Sequence, residues 1–274
     1  MSTATVAIAV PAAPKERARM TPWRAFLDIL VVTERNLIAY TRIPESLFFS
    51  SVQPVMFVLL FRYVFGGAIK TQIPGGYVNF LMPGIFVQTM AFGAVSTSIG
   101  LAEDLQKGII ERFRSLPMAR SAVLAGRTLA DLVRNVFVVA IITGVGYAVG
   151  FRIQSVPGYF AGIGLLLVIA YALSWGFAVI GLSAANSETA QVMSFPILFP
   201  LTFAAGTFVP VSSMPGWLQG FATYQPVSEV VQSARALMVA DGPAANHVIA
   251  SAAWCIGLLV VLVPLATWRY KTKS

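Results

Sequence analysis

Six apolar runs of about twenty residues divide the chain, and polar residues gather between them. The runs fall at about 46–65, 79–101, 132–151, 158–182, 192–209 and 247–268. Each is long enough to cross the roughly 30 Å hydrocarbon layer as a helix, whereas a transmembrane barrel would show short alternating segments. The pattern predicts an all-α membrane protein, with six transmembrane helices over 43–274. The third carries a helical extension at its N-terminal end.

Three segments depart from this rhythm. Residues 21–42, TPWRAFLDILVVTERNLIAYTR, are too polar to span. Thr21 suits a helix cap and Pro22 a first turn. Phe26, Leu30, Thr33, Leu37 and Tyr40 fall on one helical face, and Arg24, Asp28, Arg35 and Arg42 on the other. This predicts an amphipathic helix lying in the membrane interface, with Trp23 near the headgroups. The fifth run carries Pro196 and Pro200, each of which removes a backbone donor and crowds the preceding turn. Such a helix should bend and sit against protein or a cavity, because lipid cannot satisfy freed backbone groups. The stretch after it is too polar to span and too apolar for a free loop. Trp217, Leu218 and Phe221 suggest a short helix dipping into the outer interface, a re-entrant segment between spans five and six. Residues 226–239 suggest a second helix, with packing filler as the alternative.

Composition sharpens the class. The chain of 274 residues is 57% hydrophobic and 11% charged, far from the balance of soluble domains. Its net charge of +8 lies in loops and tails rather than in a basic polar domain, so no nucleic-acid partner is expected. With six spans, 14 Lys and Arg fall on the side that carries both termini and four on the other. That asymmetry places both termini in the cytoplasm of a multi-pass plasma-membrane protein. Residues 1–20 then read as a flexible cytoplasmic tail. A single cysteine, Cys255, and a single histidine, His247, suit neither a disulfide framework nor a metal centre.

Catalytic signatures are missing from the sequence. No GxxxxGK[ST], HExxH or GxSxG occurs. All 11 acidic residues lie in tails, loops, the interface helix or span ends. Ion-driven carriers and intramembrane hydrolases usually hold ionisable groups deep in the membrane. Asp131 and Arg134, three residues apart at one end of the third span, read as a structural pair. The chain therefore reads as a transport or scaffold protein, not an enzyme, with no energy source of its own. A secondary carrier and a non-transporting scaffold are the alternatives.

The stretch 103–120, EDLQKGIIERFRSLPMAR, holds seven charged residues between two apolar runs. Leu105, Ile109, Ile110, Phe113 and Leu116 make an apolar stripe at helical spacing. Glu103 and Lys107 form a supporting pair, and Pro117 ends the helix near Leu116. Mixed charge around an apolar stripe suits a protein partner better than a lipid surface.

This stretch resembles the cytoplasmic coupling segment of type-2 ABC exporter permeases of the daunorubicin-resistance kind. Glu103, Gly108, Glu111, Arg112, Arg114, Pro117 and Arg120 match that motif, with Ile109 where the family usually has Thr. Arg35, Asn36, Arg42, Pro44, Pro54, Phe61 and Gly66–Gly67 resemble the family's first segment. YQPVSEVVQSARALM resembles a third, with Gln225–Pro226 in place of Asn-Pro. The resemblance implies a six-span subunit paired with a second copy of itself or a homologous permease, and with ABC ATPase subunits. ATP and Mg would be held by those ATPases, with no cofactor in this chain. The interfacial helix and the coupling helix, including Asp104, Ile109 and Phe113, would contact the ATPases. Spans one, two and five would border a path for a lipophilic drug, antibiotic or lipid. Met56, Phe57, Phe86, Met90, Pro196, Phe199 and Pro200 are the path candidates. The same residues also suit packing toward membrane lipid.

Overall fold

The computed structural model describes residues 22–42, 44–69, 75–115 and 120–272, and every regular element among them is a helix. The elements are α1 (Pro22–Arg42), α2 (Pro44–Leu60), α3 (Gly76–Gln106), α4 (Ile109–Ser115), α5 (Arg120–Ala148), α6 (Val156–Ser183), α7 (Ser187–Phe203), α8 (Gly216–Tyr224), α9 (Pro226–Val239) and α10 (Ala244–Thr272). A π-helical turn, Phe61–Phe65, extends α2, and a 3₁₀ turn, Val211–Ser213, precedes α8. The expected tail 1–20, the Thr21 cap, Lys70, Leu116 and Pro117 lie outside the described residues.

Among the described residues, four helices are long and apolar enough to cross a membrane: α3, α5, α6 and α10. The apolar stretch of α3 is 78% buried and that of α10 only 11%, so α3 is the axis of the bundle and α10 an outer wall. A helix apolar on all sides belongs in such an axis. Phe86, Met90, Leu81 and Ile85 of α3 are fully buried, and α3 is packed by α5, α6, α7 and α9. α2 with its π turn, and α7, supply two shorter apolar helices. α7 has 17 residues, about 26 Å of rise.

The bundle has two ends. At one, α3 turns into α4 and α5 starts. At the same end α6 passes to α7 through three residues, with Asn186 Oδ1 accepting from the Thr189 N–H at 2.7 Å to cap α7. Arg269 near the end of α10 donates to Ser183 Oγ at the end of α6, at 3.2 Å. The opposite end carries α8 and α9. There Tyr77 donates to the Phe208 carbonyl at 2.9 Å, and Phe61 stacks on Phe208 with centroids 4.2 Å apart.

Several expectations are corrected. The stretch 103–115 is not one helix. α3 stops at Gln106, Gly108 takes a left-handed conformation (φ 66°), and α4 starts anew at Ile109. Only glycine adopts that turn without strain, and the Gly108 N–H returns to the Leu105 carbonyl at 3.1 Å, closing the end of α3. The fifth run ends its helix at Phe203 rather than near 209. α7 is helical through both prolines, which lie on its exposed face, while Ser194, Leu198 and Thr202 face α3. In α1 the packed face is displaced from the expected one. Val32, Thr33 and Asn36 are buried against α5, whereas Phe26 and Leu30 are exposed.

Candidate functional site

The densest polar cluster among the described residues ties α1, α3, α4 and α5 together at the α4 end. Asp131 of α5 is wholly buried. Its carboxylate accepts from the Tyr40 hydroxyl of α1 and the Thr97 hydroxyl of α3. Arg127 and Arg134 guanidinium nitrogens stand 3.9 and 4.0 Å from it. Asp104 of α3 pairs with Arg35 of α1 at 3.1 Å, and Arg127 lies 3.9 Å from its other oxygen. A buried carboxylate is costly unless charge and hydrogen bonds compensate it, and here both do. Burial first, then the Asp131 charge, pushes the Tyr40 phenol up to about 12.

α1 reaches this cluster because it packs closely on α5. A side chain at Gly126 of α5 would overlap Val32 and the Ile29 carbonyl of α1. Thr33 Oγ1 donates to the Gly126 carbonyl at 3.2 Å across that contact. The face of α1 turned away from the bundle is apolar, with Trp23, Phe26, Leu27, Leu30, Val31 and Ile38 exposed. Of the expected polar face, Arg24 and Arg42 are exposed, Asp28 is partly covered, and Arg35 turns inward to Asp104.

α4 is joined to the same cluster. The Arg35 guanidinium lies 5.1 Å from the centroid of the Phe113 ring, a cation–π contact. Ile110 is fully buried, and Leu105 and Phe113 pack with it against Leu101, Leu124, Trp175, Leu182 and Tyr270. The stripe expected to be bare is thus covered by the chain's own bundle, and Ile109 is partly covered. Glu103, Lys107, Glu111 and Arg112 are exposed around it. Glu103 accepts from Lys107, which holds the ammonium pKa above its usual value. Arg114 and Arg120 belong to α4 and α5, and Pro117 lies outside the described residues.

The path candidates do not form one surface. Phe86 and Met90 are sealed in the core, Phe86 edge-on to Phe151 and Tyr159. Met56 of α2 and Pro196, Phe199 and Pro200 of α7 are exposed, with Phe57 half-buried beside them. Phe57 meets Phe203 and Phe208, and Phe199 meets Phe92 of α3 edge-on at 6.1 Å.

Arg235, one of the four basic residues counted on the side opposite the termini, lies in α9 and is 2% exposed. Its guanidinium donates to the carbonyls of Phe80 (3.1 Å), Gly206 (2.7 Å) and Thr207 (3.3 Å). α9 is therefore a core helix rather than a surface one. Gln225 starts it: Oε1 accepts from the Val227 N–H at 3.3 Å, and Nε2 donates to the Leu201 carbonyl at 2.8 Å. That is the capping work a shorter amide could do there.

A bundle of apolar helices with four of membrane-crossing length defines a multi-pass membrane protein. Residues 28–239 match the ABC-2 type transporter family, and the chain belongs to that family. It is 33% identical over 245 residues to the daunorubicin resistance ABC transporter permease protein DrrB1 of Streptomyces coeruleorubidus, covering 88% of this chain and 84% of that protein. It is 26% identical over 239 residues to the probable doxorubicin resistance ABC transporter permease protein DrrC of Mycobacterium tuberculosis, covering 86% of each. With the inner membrane transport permease YadH of Escherichia coli it shares 25% identity over 193 residues, covering 67% of this chain and 73% of that one.

Proposed function

We propose that this chain is the membrane permease of an ATP-driven exporter that moves a lipophilic drug, antibiotic or lipid out of the cell. Family membership and the drug-resistance permeases among its relatives support this reading. In it, α2, α3, α5, α6, α7 and α10 are the six spans, and the α4 end faces the cytoplasm with both termini. A separate ATPase subunit, holding ATP and Mg, docks on that end, and a second permease completes the pathway.

The observation that carries the mechanism is the cluster around Asp104 and Asp131. α1 is tied by polar contacts to α3 and α5, and α4 is joined to α1 through Phe113 and Arg35 and to the bundle by the packing of Ile110. A force applied by a docked partner to α4 or α1 can therefore reach two long helices through these packed contacts. Both buried carboxylates are engaged with cations and hydroxyls at one end of the bundle, which disfavours an ion-carrying role for them. The exposed Glu111 and Arg112 of α4, with the apolar outer face of α1, form the docking surface.

The test is capture of a partner. Tagged permease purified from native membranes is expected to bring down an ATPase bearing GxxxxGK[ST], and ATP turnover by that complex should depend on the permease. Transport by the purified permease alone, driven by an ion gradient with no ATPase bound, would refute the reading.

A further inference from the structure

A cleft of about 230 Å³ opens between α2, α3, α5 and α7. Its walls are mainly apolar, with Phe57, Phe92 and Phe195 among them, but three primary amides also line it: Gln53, which is exposed, and the pair Gln88 and Asn135. Both side chains of the pair are almost wholly buried, at 3% and 2% exposure. Gln88 Nε2 and Asn135 Nδ2 have no hydrogen-bond partner in the protein. Leaving a buried donor unmade is costly, and such donors in a native protein call for an explanation.

The amide of Asn135 is held in one orientation. Its Oδ1 accepts from Arg134 at 3.4 Å, so Nδ2 is the atom left over. Arg134 in turn is fixed by the Gly93 carbonyl at 2.8 Å and by the Tyr40 ring. Gly93 makes room: a side chain there would collide with the Asn135 amide. The site is thus built, with one amide oriented by a charged neighbour and accommodated by a glycine.

We propose that this cleft is a binding subsite for a molecule whose apolar ring system carries carbonyl or hydroxyl oxygens, which Gln88 and Asn135 read as a pair of donors. The proposal rests on the export reading, and names the part of the cargo that the permease recognises. Arg134 also lines the cleft, but its guanidinium is engaged by the Gly93 carbonyl and stands 4.0 Å from Asp131, so the donors left over are neutral amides, which suit neutral oxygens rather than a phosphate. The phenylalanines supply faces for a flat ring. Pockets for whole drug-sized ligands run to about 300–1,000 Å³, so a cleft of this size takes one end of such a molecule. Water can occupy the donors between ligands, and an acceptor that reproduces its bonds displaces it without loss.

The experiment uses the permease–ATPase complex in lipid nanodiscs and two radiolabelled probes of the same ring shape. 9,10-Anthraquinone carries two carbonyl oxygens, and anthracene carries none. Binding is corrected for partition into nanodiscs without protein. The wild type is expected to hold anthraquinone about tenfold or more tighter than anthracene. Gln88→Leu and Asn135→Leu should each cut that preference by about five- to tenfold, leaving anthracene binding unchanged or tighter. Gln88→Met, closer in shape, serves if Gln88→Leu does not fold. Gln88→Leu removes an unmade donor, so this variant should melt at or above the wild-type temperature, whereas Asn135→Leu also gives up the acceptor for Arg134. No preference in the wild type, or a preference that survives both substitutions, overturns the proposal. ATPase capture is measured on the same samples. Intact capture without the preference rejects the subsite alone, and absent capture by the wild type rejects the exporter.

Discussion

Arg235 lies flat on Phe80, its guanidinium carbon 3.6 Å from the ring centroid. The same guanidinium holds three backbone carbonyls from two separate segments, one in α3 and one after α7. It satisfies the backbone where α7 stops short. Replacing Arg235 with Ala strands those carbonyls inside the bundle. The loss should be about 3 kcal/mol or more, read as a fall in the unfolding midpoint in detergent. Arg235→Lys should lose less, because an ammonium still donates to part of the carbonyl set, although a point charge cannot match the fork. An Ala variant as stable as the wild type would show the contact to be idle.

The Tyr40–Asp131 bond gives a pH signature. The Tyr40 phenol is raised from 10.0 to about 12, by burial first and by Asp131 second. A folded-state value above the unfolded one means that Tyr40 contributes stability in its protonated form. That contribution is complete below about pH 10 and drains away as pH rises through about 12. The stability difference between wild type and Tyr40→Phe should hold constant from about pH 7 to 9 and shrink from about 10 to 12. A difference that stays flat through pH 12 would exclude this coupling.

α4 separates fold from docking residue by residue. Ile110 is fully buried in the chain's own core, so Ile110→Ala should destabilise the permease by about 2–5 kcal/mol. Glu111 and Arg112 are exposed, so Glu111→Lys and Arg112→Glu should leave the unfolding midpoint within about 0.5 kcal/mol of wild type. Both reversals should weaken ATPase co-purification, since like charges meeting at a contact cost several kcal/mol. Full capture by both would move the docking surface elsewhere.

Sidedness is testable with single cysteines in a Cys255→Ser background. Lys107 is exposed beside α4, and Trp217, 81% exposed, opens the opposite end. An impermeant thiol reagent applied to intact cells should label Trp217→Cys and spare Lys107→Cys. The reverse pattern would invert the proposed topology.

The long helices were legible because an apolar run of about twenty residues has few other fates. α8 and α9 were legible too, from Trp217, Leu218, Phe221 and the 226–239 pattern. Arg235 was not, because a lone arginine in a mixed segment reads the same whether water or three carbonyls surround it. The stop at Gly108 had a signal, a glycine between two helical stretches, but the apolar stripe ran through it without changing period. Of the buried positions of α1, Thr33 was on the expected face, whereas Val32 and the polar Asn36 were not. The burial of Asn36 and Thr33 depends on local carbonyl partners: Asn36 donates to Val32 at 2.9 Å and Thr33 to Ile29 at 2.7 Å. Gln88 and Asn135 left no trace either, since single amides inside apolar runs have no period.

α5 runs unbroken for 29 residues, about 43 Å from tip to tip. Asn135 stands close to its midpoint, pressed against Gly93. Were α5 to pivot there, it would act as a seesaw. Tilting it by about 5° swings each tip by about 2 Å in opposite directions, while the fulcrum barely stirs. A push on the Arg127 end would thus arrive reversed beside Phe151, and the amide at the fulcrum would keep its place throughout the stroke.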